Sequence, residues 1–207
     1  VNKLRTDAIN TSLERTLTRD RLSKYLAETG GNLDEALTLY EQNTRLSEAL
    51  YSPLQSMEIC FRNTINHNMQ VVYGEDWLRS GAPPLGVSET EKISEAWAEL
   101  RAPTHSQLVA TLKFSFWVGL VAPKYDGTLW RHSIYKGFSV GAGKKRRDVH
   151  GRFNALRRFR NRVAHHEPVY IKAEQMHRET IEAIGWMCRD TQIWAESQSN
   201  FADVYRP

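Results

Sequence analysis

The sequence predicts an all-α protein, a single helical bundle, on three observations. Apolar residues recur at three- and four-residue intervals along most of its length. Helix-start and helix-stop signals punctuate that rhythm at plausible lengths. No stretch alternates apolar and polar residues strictly enough to make a convincing strand. With 207 residues, 41% hydrophobic and 25% charged, the chain can bury one core without disulfides or metals. We read one domain over 1–207, with N-terminal helices at about 13–74, central helices at about 88–138, and further helices at about 144–196.

The elements follow in order. Arg19 to Thr29 is a short helix stopped by Gly30-Gly31. Asn32 then opens a capping box with Glu35, and Leu33, Leu37, Tyr40, Leu46, Ala49 and Leu50 keep helical spacing. Pro53 either kinks this helix or starts a new one that runs to Gly74. The run Gly81-Ala82-Pro83-Pro84-Leu85-Gly86 breaks the pattern, and Ser88 restarts it. Thr104 and Gln107 form a second capping box, leading one central helix over Leu108 to Leu120, with Phe114, Phe116 and Trp117 read as core. Pro123 to Gly127 is a turn, Trp130 to Phe138 a short helix, and Gly141-Ala142-Gly143 a flexible joint. A basic helix covers about Lys144 to His166, closed by Pro168. One last helix spans about Lys172 to Glu196.

Composition removes several function classes. The longest apolar run, Phe114 to Ala122, falls well short of the ~18 residues a membrane span needs. Nothing at the N-terminus reads as a secretory signal. Two cysteines, Cys60 and Cys188, are too few for a disulfide framework or a zinc site. The expectation is a cytoplasmic protein with no membrane contact, metal or cofactor. The net charge of +4 conceals a concentration of cations: nine basic residues lie between Lys144 and Arg162, against Asp148 alone. The rest of the chain is therefore net acidic. A cationic segment on an acidic body suits a polyanionic partner, or else a solvated helix face.

The chemistry concentrates in Arg160-Asn161-Arg162-Val163-Ala164-His165-His166-Glu167-Pro168. Nineteen arginines and seven histidines supply roughly 0.6 Arg-x4-His pairs by chance, and two occur, Arg62/His67 and Arg160/His165. Only the second stands among other cations and beside a proline-forced helix end. A helix C-terminus attracts cationic side chains, and a histidine titrating near neutral pH can give or take a proton. Asn161 shares the face of His165, four residues on. Arg160 lies about 140° away from His165 on an ideal helix. Either the last turn is distorted or two copies of the chain build the site together.

The Arg160–Pro168 stretch resembles the Arg-Asn-x-x-Ala-His-His-Glu-Pro core of the Abi-like (abortive infection) branch of the HEPN superfamily. Glu58-Ile59-Cys60-Phe61-Arg62-Asn63-Thr64-Ile65 is similar to that branch's upstream Glu-x-x-x-Arg-Asn-x-Ile element. The resemblance implies a helical bundle that forms a two-fold homodimer and acts as a metal-independent endoribonuclease of defence or toxin type. Arg160, Asn161 and His165 then carry over as catalytic, and His166 also satisfies the looser spacing. Glu58, Arg62 and Asn63 would support them, with Glu58–Arg62 an intrahelical ion pair on the plainer reading. Lys144, Lys145, Arg146, Arg147, Arg157 and Arg162 would hold the RNA backbone. Two other functions fit the same residues: an inactive RNA-binding module, and a helical partner of an antitoxin or other regulatory protein.

Overall fold

A 41-residue helix is the spine of the molecule, and most of the other helices pack around it. The computed structural model describes residues 5–140 and 143–205, with no strand among them. In chain order the helices are α1 (Asp7–Leu17), α2 (Arg19–Glu28), α3 (Leu33–Tyr73), α4 (Trp77–Ser80), α5 (Val87–Leu100) and α6 (His105–Thr111), followed by α7 (Phe114–Leu120), α8 (Arg146–Ala164), α9 (Ala173–Gly185), α10 (Arg189–Ser197) and α11 (Phe201–Val204). Tight 3-10 and π turns at Pro123–Tyr125, Asp126–Trp130 and Ile134–Phe138 fill the connection from α7 to α8. None of the helices is long and apolar enough to cross a membrane, among the described residues. The Gly141-Ala142-Gly143 joint lies partly outside the described residues, which exclude Gly141 and Ala142.

The spine starts where Asn32 accepts hydrogen bonds from the backbone of Asp34 and Glu35, at 3.1 and 3.2 Å. Glu35 returns to the Asn32 side-chain amide, at 3.1 Å, instead of the backbone N–H of a standard capping box. Pro53 neither ends α3 nor opens a new helix. A proline there costs about 3 kcal/mol. Around it Leu50, Leu54 and Met57 are all buried, each worth about 1.5–3 kcal/mol, so packing outweighs the lost bond. Further along, Phe61 of α3 stacks on Phe153 of α8 at 3.9 Å, and Phe114 and Phe138 close around the pair. A smaller core of Leu22, Tyr25, Leu26, Ala36 and Leu37 seats α2 on the first turns of α3.

Two predicted helices are each two. The stretch read as Leu108–Leu120 breaks at Leu112 and Lys113, whose backbone is extended. Trp117 donates its indole N–H to the Leu112 carbonyl, at 3.2 Å, and so satisfies a group the break would orphan. The break turns α7 inward, burying five of its seven residues. The last helix breaks at Trp186–Cys188. There α10 folds back so closely that a Cβ at Gly185 would lie 2.1 Å from the Gln192 side-chain oxygen. The N-terminal boundary near residue 13 moves to Asp7, because Thr6 caps α1. Neither α11 nor the π turn was anticipated.

A buried acid ties α5 to the turn after α7. Glu89, 4% exposed, accepts from Lys124 at 2.8 Å and from the Tyr125 hydroxyl at 2.6 Å, and that hydroxyl accepts from the Gly86 N–H. Burial pushes the Glu89 carboxyl up, but the Lys124 and Tyr125 hydrogen bonds outweigh it and hold it below the usual range. A carboxyl lowered on folding stabilises above its unfolded pKa, and that stability fades as pH falls through the folded value. Thermal unfolding between pH 6 and 3 should therefore show a steeper acid loss for wild type than for Glu89→Gln. Parallel curves would remove Glu89 from the acid response.

Candidate active site

Val149, Phe153, Leu156 and Phe159 form the buried stripe of α8 and turn its arginines toward the other faces. The helix ends at Ala164, four residues before Pro168, in a doubly bonded turn. The His166 N–H donates to the Val163 carbonyl at 3.0 Å and the Glu167 N–H to the Arg162 carbonyl at 2.8 Å. Such an ending needs a left-handed residue just past the cap, usually glycine. Here it is His166, at φ +56°.

Distant residues hold this turn. Asn43, 3% exposed on α3, accepts from the Val169 N–H at 2.6 Å and the Tyr170 N–H at 3.3 Å, and donates to the Glu167 carbonyl at 3.3 Å. Arg21 of α2 donates to the His166 carbonyl. Arg162 donates to the Pro168 carbonyl, and its Nε lies 3.4 Å from the Glu167 carboxylate. The Tyr170 ring packs against Tyr25, whose phenol burial pushes up to about 12, so it packs as a neutral ring.

The turn forms one end of a groove of about 810 Å³ between α3 and α8. Tyr51, Glu58 and Arg62 line it from α3, and Arg160 and His166 from the opposite side. Arg160 donates from Nε to Glu58 at 3.2 Å. No Glu58–Arg62 pair lies within 4 Å among the described residues, so Glu58 braces α8 instead of its own helix. A half-exposed pair of this kind contributes about 0–1 kcal/mol, and its use is orientation. The bond occupies Nε, leaving the two terminal nitrogens of Arg160 outside it.

The structure thus brings together Arg160, His166, Glu58 and Arg62, and separates others from them. His165 is exposed and, like Asn161, lies outside the groove lining. Asn63 lines a second groove on α3, together with His67. The basic segment is only partly free. Arg146 pairs with Asp126 at 3.1 Å and donates to the Val121 carbonyl, and Arg152 pairs with Glu182 at 2.9 Å. Lys144 lies over the Trp186 ring and Arg157 bonds Asn154. Lys145, Arg147 and Arg158 are exposed, although Arg147 has Asp148 at 3.7 Å. No group of three or more His, Cys, Asp or Glu that could hold a metal occurs among the described residues.

No family model, curated protein or solved structure matches this chain. The site therefore rests on its own geometry. Sequence reasoning missed Arg21, Tyr51 and Asn43. Asn43 did leave a signal: the apolar stripe of α3 skips between Tyr40 and Leu46, and Asn43 fills the gap. A polar residue at a core position needs buried partners.

Proposed function

We propose that this chain is a metal-independent endoribonuclease of HEPN type, in the Abi-like branch, acting as a two-fold homodimer. The observation that carries the reading is Arg160, oriented by Glu58, sharing one groove with His166 at the end of a basic helix. A bond forms between the ribose 2′-oxygen and phosphorus while the bond from phosphorus to the 5′-oxygen breaks. One imidazole takes the 2′ proton, and an imidazolium returns a proton to the leaving 5′-oxygen. The terminal nitrogens of Arg160 offer a two-pronged contact to the phosphorane oxygens. A second copy supplies the second imidazole. His166 is the proton carrier this groove favours over His165, and exposed Lys145, Arg147 and Arg158 hold the backbone.

RNA incubated with purified protein in EDTA should be cut to 2′,3′-cyclic phosphate and 5′-hydroxyl ends. Arg160→Ala should slow cutting by about a hundredfold or more, and solution mass should correspond to two chains. An RNA left intact but bound would reduce the protein to a binding module. Loss of cutting in His165→Ala but not in His166→Ala would return the proton transfer to His165.

A further inference from the structure

A second groove, of about 830 Å³, flanks the same stretch of α3. The two grooves share Gln55 and Ile59, so they run on either side of one helical ridge. Asn63 and His67 line the second groove from α3, Thr191 and Trp194 from α10, and Lys136 from the 3-10 turn. Its walls are held closely. A Cβ at Gly137 would lie 2.4 Å from the Thr64 methyl and 2.8 Å from the Asn68 amide nitrogen, so the turn carrying Lys136 presses its backbone onto α3.

The charge of the two grooves differs. Glu48 and Glu58 stand with Arg62 and Arg160 in the first, whereas Lys136 lines the second with no Asp or Glu to offset it among the described residues, in a chain with 24 acids. Trp194 is 56% exposed at this groove although tryptophan is a strongly buried residue type. The lining combines apolar surface from Ile59, Met187 and the open Trp194 indole with side-chain amides and hydroxyls, an imidazole and an ammonium, a mixture that suits a nucleotide. The indole offers a stacking face to a base, the amide of Asn63 can read a base edge, and Lys136 meets a phosphate. A purely apolar partner would leave these polar groups unpaired.

We propose that the second groove binds a nucleotide unit, with the base on Trp194 and the phosphate on Lys136. Its source is either a single RNA strand that crosses the α3 ridge from the first groove or a free nucleotide. The strand source rests on the proposed ribonuclease reading, and the free nucleotide does not.

The test measures binding of a labelled single-stranded RNA dodecamer by fluorescence anisotropy, in EDTA, with Arg160→Ala present to prevent cutting. Trp194→Ala should weaken binding about tenfold and Trp194→Phe much less, because stacking needs only an aromatic face. Lys136→Ala should lower the salt slope of the affinity by about one. Both side chains are exposed, and circular dichroism would verify the fold. Displacement of the dodecamer by adenosine monophosphate would assign a free-nucleotide site, and Trp194-dependent binding without displacement would assign the strand. If neither ligand binds, or Trp194→Ala changes neither, the inference is overturned. Trp194-dependent binding by a wild-type protein that cuts nothing would sink the ribonuclease reading alone.

Discussion

His166→Gly should make the protein more stable by about 0.5–1 kcal/mol and at the same time cut the proposed ribonuclease activity by a hundredfold or more. The two effects have separate causes. At φ +56° the His166 Cβ crowds the backbone, a cost glycine escapes. The residue is exposed, so little packing is lost with the ring, although the greater freedom of glycine in the unfolded chain trims the gain. The imidazole itself is the proton carrier in the proposed chemistry, and such groups contribute about 10²–10⁴ in rate. His166→Ala keeps the left-handed strain and should lose activity without becoming more stable. Urea titrations and cleavage rates on the three proteins separate the effects. A glycine variant that cuts RNA normally would mean that His166 merely terminates α8. Opposite signs for stability and activity would mark backbone strain retained for function.

Asn43→Ala should destabilise the fold by about 2–4 kcal/mol, the largest loss of any single side chain at the site. One amide satisfies two N–H groups and one carbonyl between Glu167 and Tyr170, and Val169 there is 2% exposed. Removing it strands buried backbone groups at about 1–3 kcal/mol each, reduced where water reaches them. Asn43→Asp keeps both acceptor bonds, but its second oxygen faces the Glu167 carbonyl at a site 3% exposed. At neutral pH it should therefore be destabilised at least as far as alanine, and recover in part as the carboxyl protonates in acid. Urea unfolding gives the order. Equal stability for all three would show that the turn is held by Arg21 and Arg162 alone. Asn43 is 126 residues from Val169 in the chain, a separation that no local pattern encodes.

The charge segment teaches the same lesson at the surface. Nine cations between Lys144 and Arg162 read as a polyanion-binding strip, but the fold brings Asp126, Glu182, Glu58 and Glu167 to four of the arginines. What is left for a partner is a smaller set than the count implies. Linear charge density overstates a surface whenever acids from other elements pack against it.

Local chemistry was enough to define the helical class, the Asn32 and Thr104 starts, the course of α8 and the segment that carries Arg160 and the two histidines. Caps, periodicity and proline act over a few residues, and those residues are adjacent in the chain. Folding alone decided that α3 continues through Pro53, that the apolar runs break at Leu112 and after Gly185, and that His166 reaches the groove while His165 does not. These outcomes depend on which surfaces meet, and burial of several large side chains exceeds the cost of any one unfavourable backbone residue.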